Sequence, residues 1–397
     1  MPYVEDRTVH DADTHIMELP DCLDPFIEAR FKAPLQAHIR GAKKSKLDDT
    51  SWADEAVSKH ADPEFRAGAD EAIMQRKRYD ALGSFRKEDR SRALDQLGFA
   101  SQLVFTTFCL GNFQLDQGED LDLCYAAATA HNRMMVDFCG VDRRLLATAY
   151  VSLADRERAP KAAIEAIELG AKALMINSKC PKGHSPSHAD FDRLWAIAQE
   201  AGLPIIFHVG GQEKMKNDYA RNGGPVQLDW LGGAENFTSI SFISIPNSVM
   251  QTMAALIFDG VLDRFPQLKF GAIELGASWM PSWIKFMDTA FEAFHREERL
   301  QRLSGRPSEI IRRQFRATPY CHEDAGWIIR EAGEETVLFS SDYPHIEGGR
   351  NPVKRFETTM AQTPEASKRR FYRDNFIDLM GKGLDPELHD ARRLLTA

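Results

Sequence analysis

The run Asp11-Ala12-Asp13-Thr14-His15 is the strongest chemical signal in the sequence. On an extended strand alternate side chains project to one side, so Asp11, Asp13 and His15 would share a face. Two carboxylates and an imidazole gathered in a protein interior are costly unless a cation or hydrogen bonds compensate. A divalent metal would compensate, because it accepts both imidazole nitrogen and carboxylate oxygen. A helix N-cap or a solvated loop is the competing reading of the same residues.

Other polar residues close short apolar runs in the same manner. His208 ends Leu-Pro-Ile-Ile-Phe-His and precedes Val-Gly-Gly; Asp342 ends Val-Leu-Phe-Ser-Ser and precedes Tyr-Pro-His345. A metal ligand suits both positions, and Asp342 could also take a proton from bound water. The competing readings are a core histidine bonded to backbone and an N-capping aspartate. Glu274 directly follows Leu-Lys-Phe-Gly-Ala-Ile. It is a candidate proton donor, outer-shell orienter or ligand, or a carboxylate at the positive end of the next helix. His322 and His345 are candidates for an outer shell or for substrate contact, as is Asp11. His184 and His188 lie in a polar loop and read as solvated.

The elements that must position these residues alternate. Strands are expected at Val9–Asp13, Ala100–Thr106, Leu145–Val151, Lys172–Ile176, Leu203–His208, Leu268–Ile273 and Val337–Ser341, with the weakest at Gln314–Ala317. Between several of them run helical patterns, including Leu121–Phe138, Arg158–Leu169 and a helix stopped by Gly202 and Pro204. Strands alternating with helices imply βαβ units and a parallel sheet. Eight such units predict an α/β fold, a distorted (β/α)8 TIM barrel, with a doubly wound open sheet as the alternative. The stretch from Pro25 to Arg92 breaks the rhythm, being long and charged; it is expected to be a partly helical insertion after the first strand that caps the catalytic face. Residues 1–397 then form a single barrel domain with the insertion at about 25–92. The tail after Gly381 is expected to be a surface helix or arm.

Composition excludes several functions. With 50 Lys+Arg against 59 Asp+Glu the formal net charge is −9, which argues against nucleic-acid binding. The cysteines (Cys22, Cys109, Cys124, Cys139, Cys180 and Cys321) lie far apart with no C-x-x-C pair, so neither a disulfide framework nor a zinc ribbon is expected. The charged N-terminus lacks the apolar segment of a secretory signal. No run reaches about 18 apolar residues, so no membrane span is expected. The cytoplasm is the expected location.

The D-A-D-x-H start, F-H-V-G-G and S-D-Y-P-H, in this order, resemble the amidohydrolase superfamily. The closer resemblance is to the amidohydrolase 2 branch that contains 2-amino-3-carboxymuconate 6-semialdehyde decarboxylase. HNRMMVDFCGVDRRLLATAYVSLAD, ELGAKALMI and VLDRFPQLKFGAIELGASWMPSWI support it. The resemblance implies a distorted barrel holding one divalent ion, Zn2+ or Mn2+, with ligands at the positions of Asp13, His15, His208 and Asp342. Asp13 stands where the family usually has His or Glu, which makes the site harder and favours Mn2+ or Mg2+. Glu274 stands where the decarboxylases usually carry a catalytic histidine. No lysine closes the fourth strand, so a binuclear site is not expected.

The resulting expectation is a metal-dependent hydrolase acting, through a metal-bound water, on a small aromatic or unsaturated carboxylic acid or amide. Asp342 and Glu274 are its catalytic residues. Non-oxidative decarboxylation of an aromatic or muconate-type acid is the alternative, placed second because it leans on the missing histidine. An inactive binding barrel ranks third. The expected partner is a small-molecule substrate, with no nucleic acid and no membrane; a homodimer is compatible with the family. Phe105, Phe108, Phe113, Trp230, Phe237 and Trp279 could line an aromatic pocket, and Lys214, Lys216 and Arg221 could hold a carboxylate. Barrel core and solvated loop are the respective competing readings.

Overall fold

A computed structural model of the chain describes residues 2–42, 51–213, 215, 217–220, 223–224 and 239–390. Its centre is a curled sheet of seven parallel strands in chain order: β1 (His10–Ile16), β2 (Ser101–Thr106), β3 (Leu145–Tyr150), β4 (Ala173–Met175), β5 (Ile205–His208), β6 (Phe270–Ile273) and β7 (Phe315–Ala317). Every neighbouring pair is parallel. Parallel neighbours need crossover connections, and the helical segments supply them.

Residues 336–343 lie between β7 and β1. On one side Ala317 N donates to Thr336 O (2.8 Å) and Leu338 N to Ala317 O (3.1 Å). On the other, Ala12 N donates to Phe339 O (3.1 Å), Asp342 N to Asp13 O (2.9 Å) and His15 N to Tyr343 O (2.7 Å). The arrangement is consistent with a TIM-like barrel. The expected eighth strand makes these bonds without forming a regular ladder. Ser341 N donates to the Asp11 carboxylate (2.8 Å), not to a strand carbonyl, and Asp342 turns to φ +50°.

Inward-facing side chains of alternate positions fill the barrel: Leu103 and Phe105, Leu146 and Tyr150, Ala173 and Met175. Phe376, Leu379, Met380, Leu384 and Leu388 belong to the same cluster. The described part of the C-terminal tail is therefore not a surface arm. It consists of two 3-10 turns, Gly381–Gly383 and Pro386–Leu388, and its leucines are drawn into the barrel's apolar interior.

Between β1 and β2 the described residues form helices α1 (Ala29–Ala42), α2 (Ser51–Ala61), α3 (Pro63–Glu71) and α4 (Lys87–Leu97). Further on come α5 (Leu121–Cys139), α6 (Arg158–Leu169) and α7 (Asp192–Ala201). Helix α7 stops at Gly202, whose φ of +68° is the left-handed conformation that its position in the sequence suggests. By length and composition alone the stretch Ser239–Phe258 could cross a membrane, although it holds no unbroken run of about 18 apolar residues. Its second half, helix Asn247–Phe258, buries Val249, Met253, Leu256 and Ile257.

Candidate metal centre

The strand ends that carry the predicted residues converge. Strand β1 runs three residues further than expected, to Ile16, so Asp13 and His15 lie within it and are fully buried. His15 Nε2 is 3.2 Å from Asp13 Oδ1, 3.6 Å from Glu274 Oε2 and 3.6 Å from Asp342 Oδ1. His208 Nε2 is 3.4 Å from both Asp13 Oδ1 and Glu274 Oε2. His345 Nδ1 approaches Asp342 Oδ1 at 2.9 Å. Two overlapping sets result, Asp13–His15–His208–Glu274 and His15–Glu274–Asp342–His345, each with its ligand atoms within 4.8 Å of one another. Asp342 and Asp13 thus fall in different sets, joined through His15 and Glu274.

Backbone partners fix both β-strand imidazoles. His15 Nδ1 faces Thr106 O at 2.9 Å and His208 Nδ1 faces Val209 O at 3.0 Å. A carbonyl only accepts, so each Nδ1 carries a proton, and in the neutral ring each Nε2 presents its lone pair to the centre. Asp13 Oδ2 is buried with no hydrogen-bond partner among the described residues. Lone pairs and carboxylates converging on one buried point repel one another unless a cation lies between them. The donor set, two imidazole nitrogens with carboxylate oxygens, fits one divalent metal ion.

The electrostatics reflect this crowding. Burial works against ionisation of Asp13, but its contacts with His15 and His208 outweigh burial and hold it below the ordinary carboxylate range. Burial disfavours the His15 cation, yet Asp13 and Asp342 outweigh it and raise its pKa. Glu274 is raised well above the ordinary value by burial, then by the charges of Asp342 and Asp13. For His345, burial and His15 lower the pKa and Asp342 prevails in raising it.

Asp11 does not join Asp13 and His15. The pairing with β2 slips register between Asp11 and Thr14. Its carboxylate accepts from Ser341 N (2.8 Å), Ser341 Oγ (2.6 Å) and Gln102 Nε2 (3.1 Å). It therefore anchors the residue before Asp342. Glu274, at φ +53°, donates its N–H to Thr318 Oγ1 (3.0 Å), and its carbonyl accepts from Tyr320 OH (2.7 Å). His322 is exposed and lies outside both donor sets, with Nδ1 2.6 Å from Arg355 Nη1.

Of the expected aromatic residues, Phe105 packs against His208 at 4.3 Å between centroids. Phe108 stacks with Tyr79 at 6.4 Å. Trp279 packs on Trp283 and Phe315, and its Nε1 donates to Gly276 O (2.8 Å). Lys214, Lys216, Arg221, Trp230, Phe237 and the side chain of Phe113 lie outside the described residues.

The sequence reading missed Lys77. Its ammonium is buried with no hydrogen-bond partner among the described residues. Burial brings its pKa down to about 8, against the pull of Asp342. Arg78 N donates to Pro344 O (2.8 Å), which ties this stretch to the turn after Asp342. In the sequence Lys77 sits in the basic run Arg76-Lys77-Arg78, which reads as a solvated face.

A family model, described as amidohydrolase, matches residues 11–379. The chain belongs to this family, and it has the fold and a donor cluster to match. No curated protein matches it. Solved structures that resemble it include an amidohydrolase from Mycobacterium avium subsp. paratuberculosis, 23% identical with TM-score 0.70, covering 95% of this chain and 100% of that one. A 5-carboxyvanillate decarboxylase from Novosphingobium aromaticivorans, with manganese and 3-methoxy-4-hydroxy-5-nitrobenzoic acid bound, is 18% identical with TM-score 0.62, covering 94% and 97%. A dihydroxybenzoic acid decarboxylase from Polaromonas sp., with manganese and 2-nitroresorcinol, is 16% identical with TM-score 0.60, covering 94% and 97%. At these identities the likeness is one of fold.

Proposed function

We propose that this chain is a metal-dependent, non-oxidative decarboxylase of an aromatic or similarly unsaturated carboxylic acid. The observation that carries this reading is the position of His345 in the donor cluster, 2.9 Å from Asp342. The preference for hydrolysis rested on the missing histidine after β6. An imidazole from residue 345 supplies what that position lacks. The decarboxylases among the similar structures support the same choice.

Asp13, His15, His208 and Asp342 would hold the ion, with Glu274 beside them. Bound there, the ion supplies positive charge that orients the acid's carboxylate and an adjacent hydroxyl. Loss of CO2 breaks the ring-carbon to carboxyl bond and leaves the electron pair on carbon. That carbon takes a proton, which Glu274 or the His345–Asp342 pair is placed to give. The Lys77 ammonium answers a carboxylate of the substrate and gains a hydrogen-bond partner, which it lacks among the described residues. Phe105 and the apolar barrel beneath exclude water from the carbanion-like centre.

The test is a screen of Mn2+-loaded protein against hydroxylated benzoic acids and unsaturated acids, measuring CO2 and the decarboxylated product by mass. CO2 release, lost in His208→Ala and Asp342→Asn with the fold retained, is the expected result. Hydrolysed products without CO2 would return the chain to the hydrolase reading.

A further inference from the structure

Resting on the metal-site reading, we infer that Arg90, on the segment between β1 and β2, is a positioning residue that sets the affinity of the centre for its ion. Arg90 lies on α4 and is wholly buried. Among the described residues no carboxylate lies within ion-pair distance of it; its partners are backbone and hydroxyl oxygens. Nη1 donates to His15 O (3.1 Å) and Gly83 O (3.3 Å), and Nη2 donates to Thr14 Oγ1. The guanidinium lies 5.4 Å from the centroid of the Tyr343 ring.

These contacts join both halves of the centre. Thr14 Oγ1 in turn donates to Tyr343 O (2.7 Å), and His15 N donates to that same oxygen (2.7 Å). The guanidinium thus grips the backbone of one donor, His15, and through Thr14 the residue that follows another, Asp342. No regular ladder exists where β1 meets residues 336–343; Thr14 and Tyr343 form an isolated bridge. The planar fork reaches this joint with its two Nη atoms, which make three bonds, while Nε has no hydrogen-bond partner among the described residues.

The surrounding chain is shaped to admit this fork. Gly83 sits at φ +66°, and a Cβ there would fall 2.7 Å from Arg90 Cα and 2.9 Å from its nitrogen. Tyr343 OH donates to Leu82 O (2.7 Å), so the same turn is tied to the ligand-bearing loop from the other direction. Burying a guanidinium is costly. Here the cost is partly offset by the oxygens of His15, Gly83 and Thr14.

The experiment measures Mn2+ dissociation constants by calorimetry, with melting temperatures of the metal-free proteins, for wild type, Arg90→Met, Thr14→Val and Arg316→Met. Arg316 is another buried arginine, in the sheet's last strand, that pairs with Asp378. Loss of a group that orients ligands typically weakens metal binding about 10–100-fold. Arg90→Met is expected to show that loss and Thr14→Val a smaller one. Arg316→Met is expected to lower the melting temperature at unchanged Mn2+ affinity. If Arg90→Met does not fold, Thr14→Val decides alone. Affinities of Arg90→Met and Thr14→Val within twofold of wild type would overturn the inference, as would equal weakening in Arg316→Met. Failure of wild type to bind Mn2+ would instead overturn the metal reading itself.

Discussion

The imidazole of His345 lies 3.9 Å from that of His15, centroid to centroid, with the ring planes 26° apart. The two rings are held by consecutive residues at the end of β2: His15 Nδ1 by Thr106 O at 2.9 Å, His345 Nε2 by Thr107 Oγ1 at 2.8 Å. Glu18 in turn accepts from the backbone nitrogens of Thr107, Phe108 and Cys109 at 3.0–3.2 Å. One loop therefore sets both imidazoles, and they can serve different ends. His15 is tied to the cluster's interior. His345 has its second nitrogen on Asp342.

This division predicts how the two histidines respond to mutation. His345→Asn should lower kcat by about 10²–10⁴, the range for loss of a general acid, while retaining close to one equivalent of Mn2+. His15→Ala should lose the ion itself. Steady-state kinetics with metal analysis of both variants checks this, and unchanged turnover in His345→Asn would remove it from proton transfer.

Metal preference should follow Asp13. Two carboxylates, Asp13 and Glu274, with the two strand imidazoles make one donor set that is rich in oxygen and therefore hard. Asp13→His exchanges an oxygen donor for nitrogen. In competition binding, the ratio of Zn2+ to Mn2+ affinity should rise at least tenfold over wild type. A constant ratio would place Asp13 outside the ligand set.

The residues that ended apolar runs were legible because a buried strand leaves one polar side chain at its exit, and His208, Glu274 and Asp342 each stand there. Asp11 leaves the face of Asp13 and His15 because alternation assumes an unbroken register and β1 slips between Asp11 and Thr14, while its bonds to Ser341 keep it behind Asp342. His322, a candidate only for an outer shell or substrate contact after the weakest strand, faces Arg355 instead. Lys77 and Arg90 gave no sequence signal. Each lies among other charges, and only the packing between β1 and β2 shows that its charge is buried. The C-terminal leucines misled for the opposite reason: a short charged tail conceals two side chains that fill the barrel.

Lys77 should act on substrate binding. An ionic hydrogen bond between a buried ammonium and a carboxylate is worth about 1.5–3 kcal/mol, or roughly 10–100-fold in affinity. Lys77→Met is expected to raise KM for the acid by that factor, with Mn2+ affinity unchanged. Lys77→Arg should recover part of it. An unaltered KM in Lys77→Met would assign the ammonium a structural role.

Acid stability should depend on His10 at the opposite end of β1. Its ring is buried, with Nδ1 2.8 Å from Ser101 Oγ and the plane stacked on Phe376 at 5.1 Å. Burial, with the charge of Arg373 adding to it, lowers the pKa to about 3 from 6.5. The unfolded chain therefore takes up this proton at higher pH than the folded one. The stability that a neutral His10 provides is complete above about pH 6.5 and declines as pH falls from there towards 3. By pH 5 the loss amounts to about 2 kcal/mol, at 1.36 kcal/mol per unit. His10→Gln keeps a partner for Ser101 and cannot titrate in this range. Urea unfolding at pH 7 and pH 5 should show the wild type losing that much more than the variant; equal losses in both would place the acid sensitivity elsewhere.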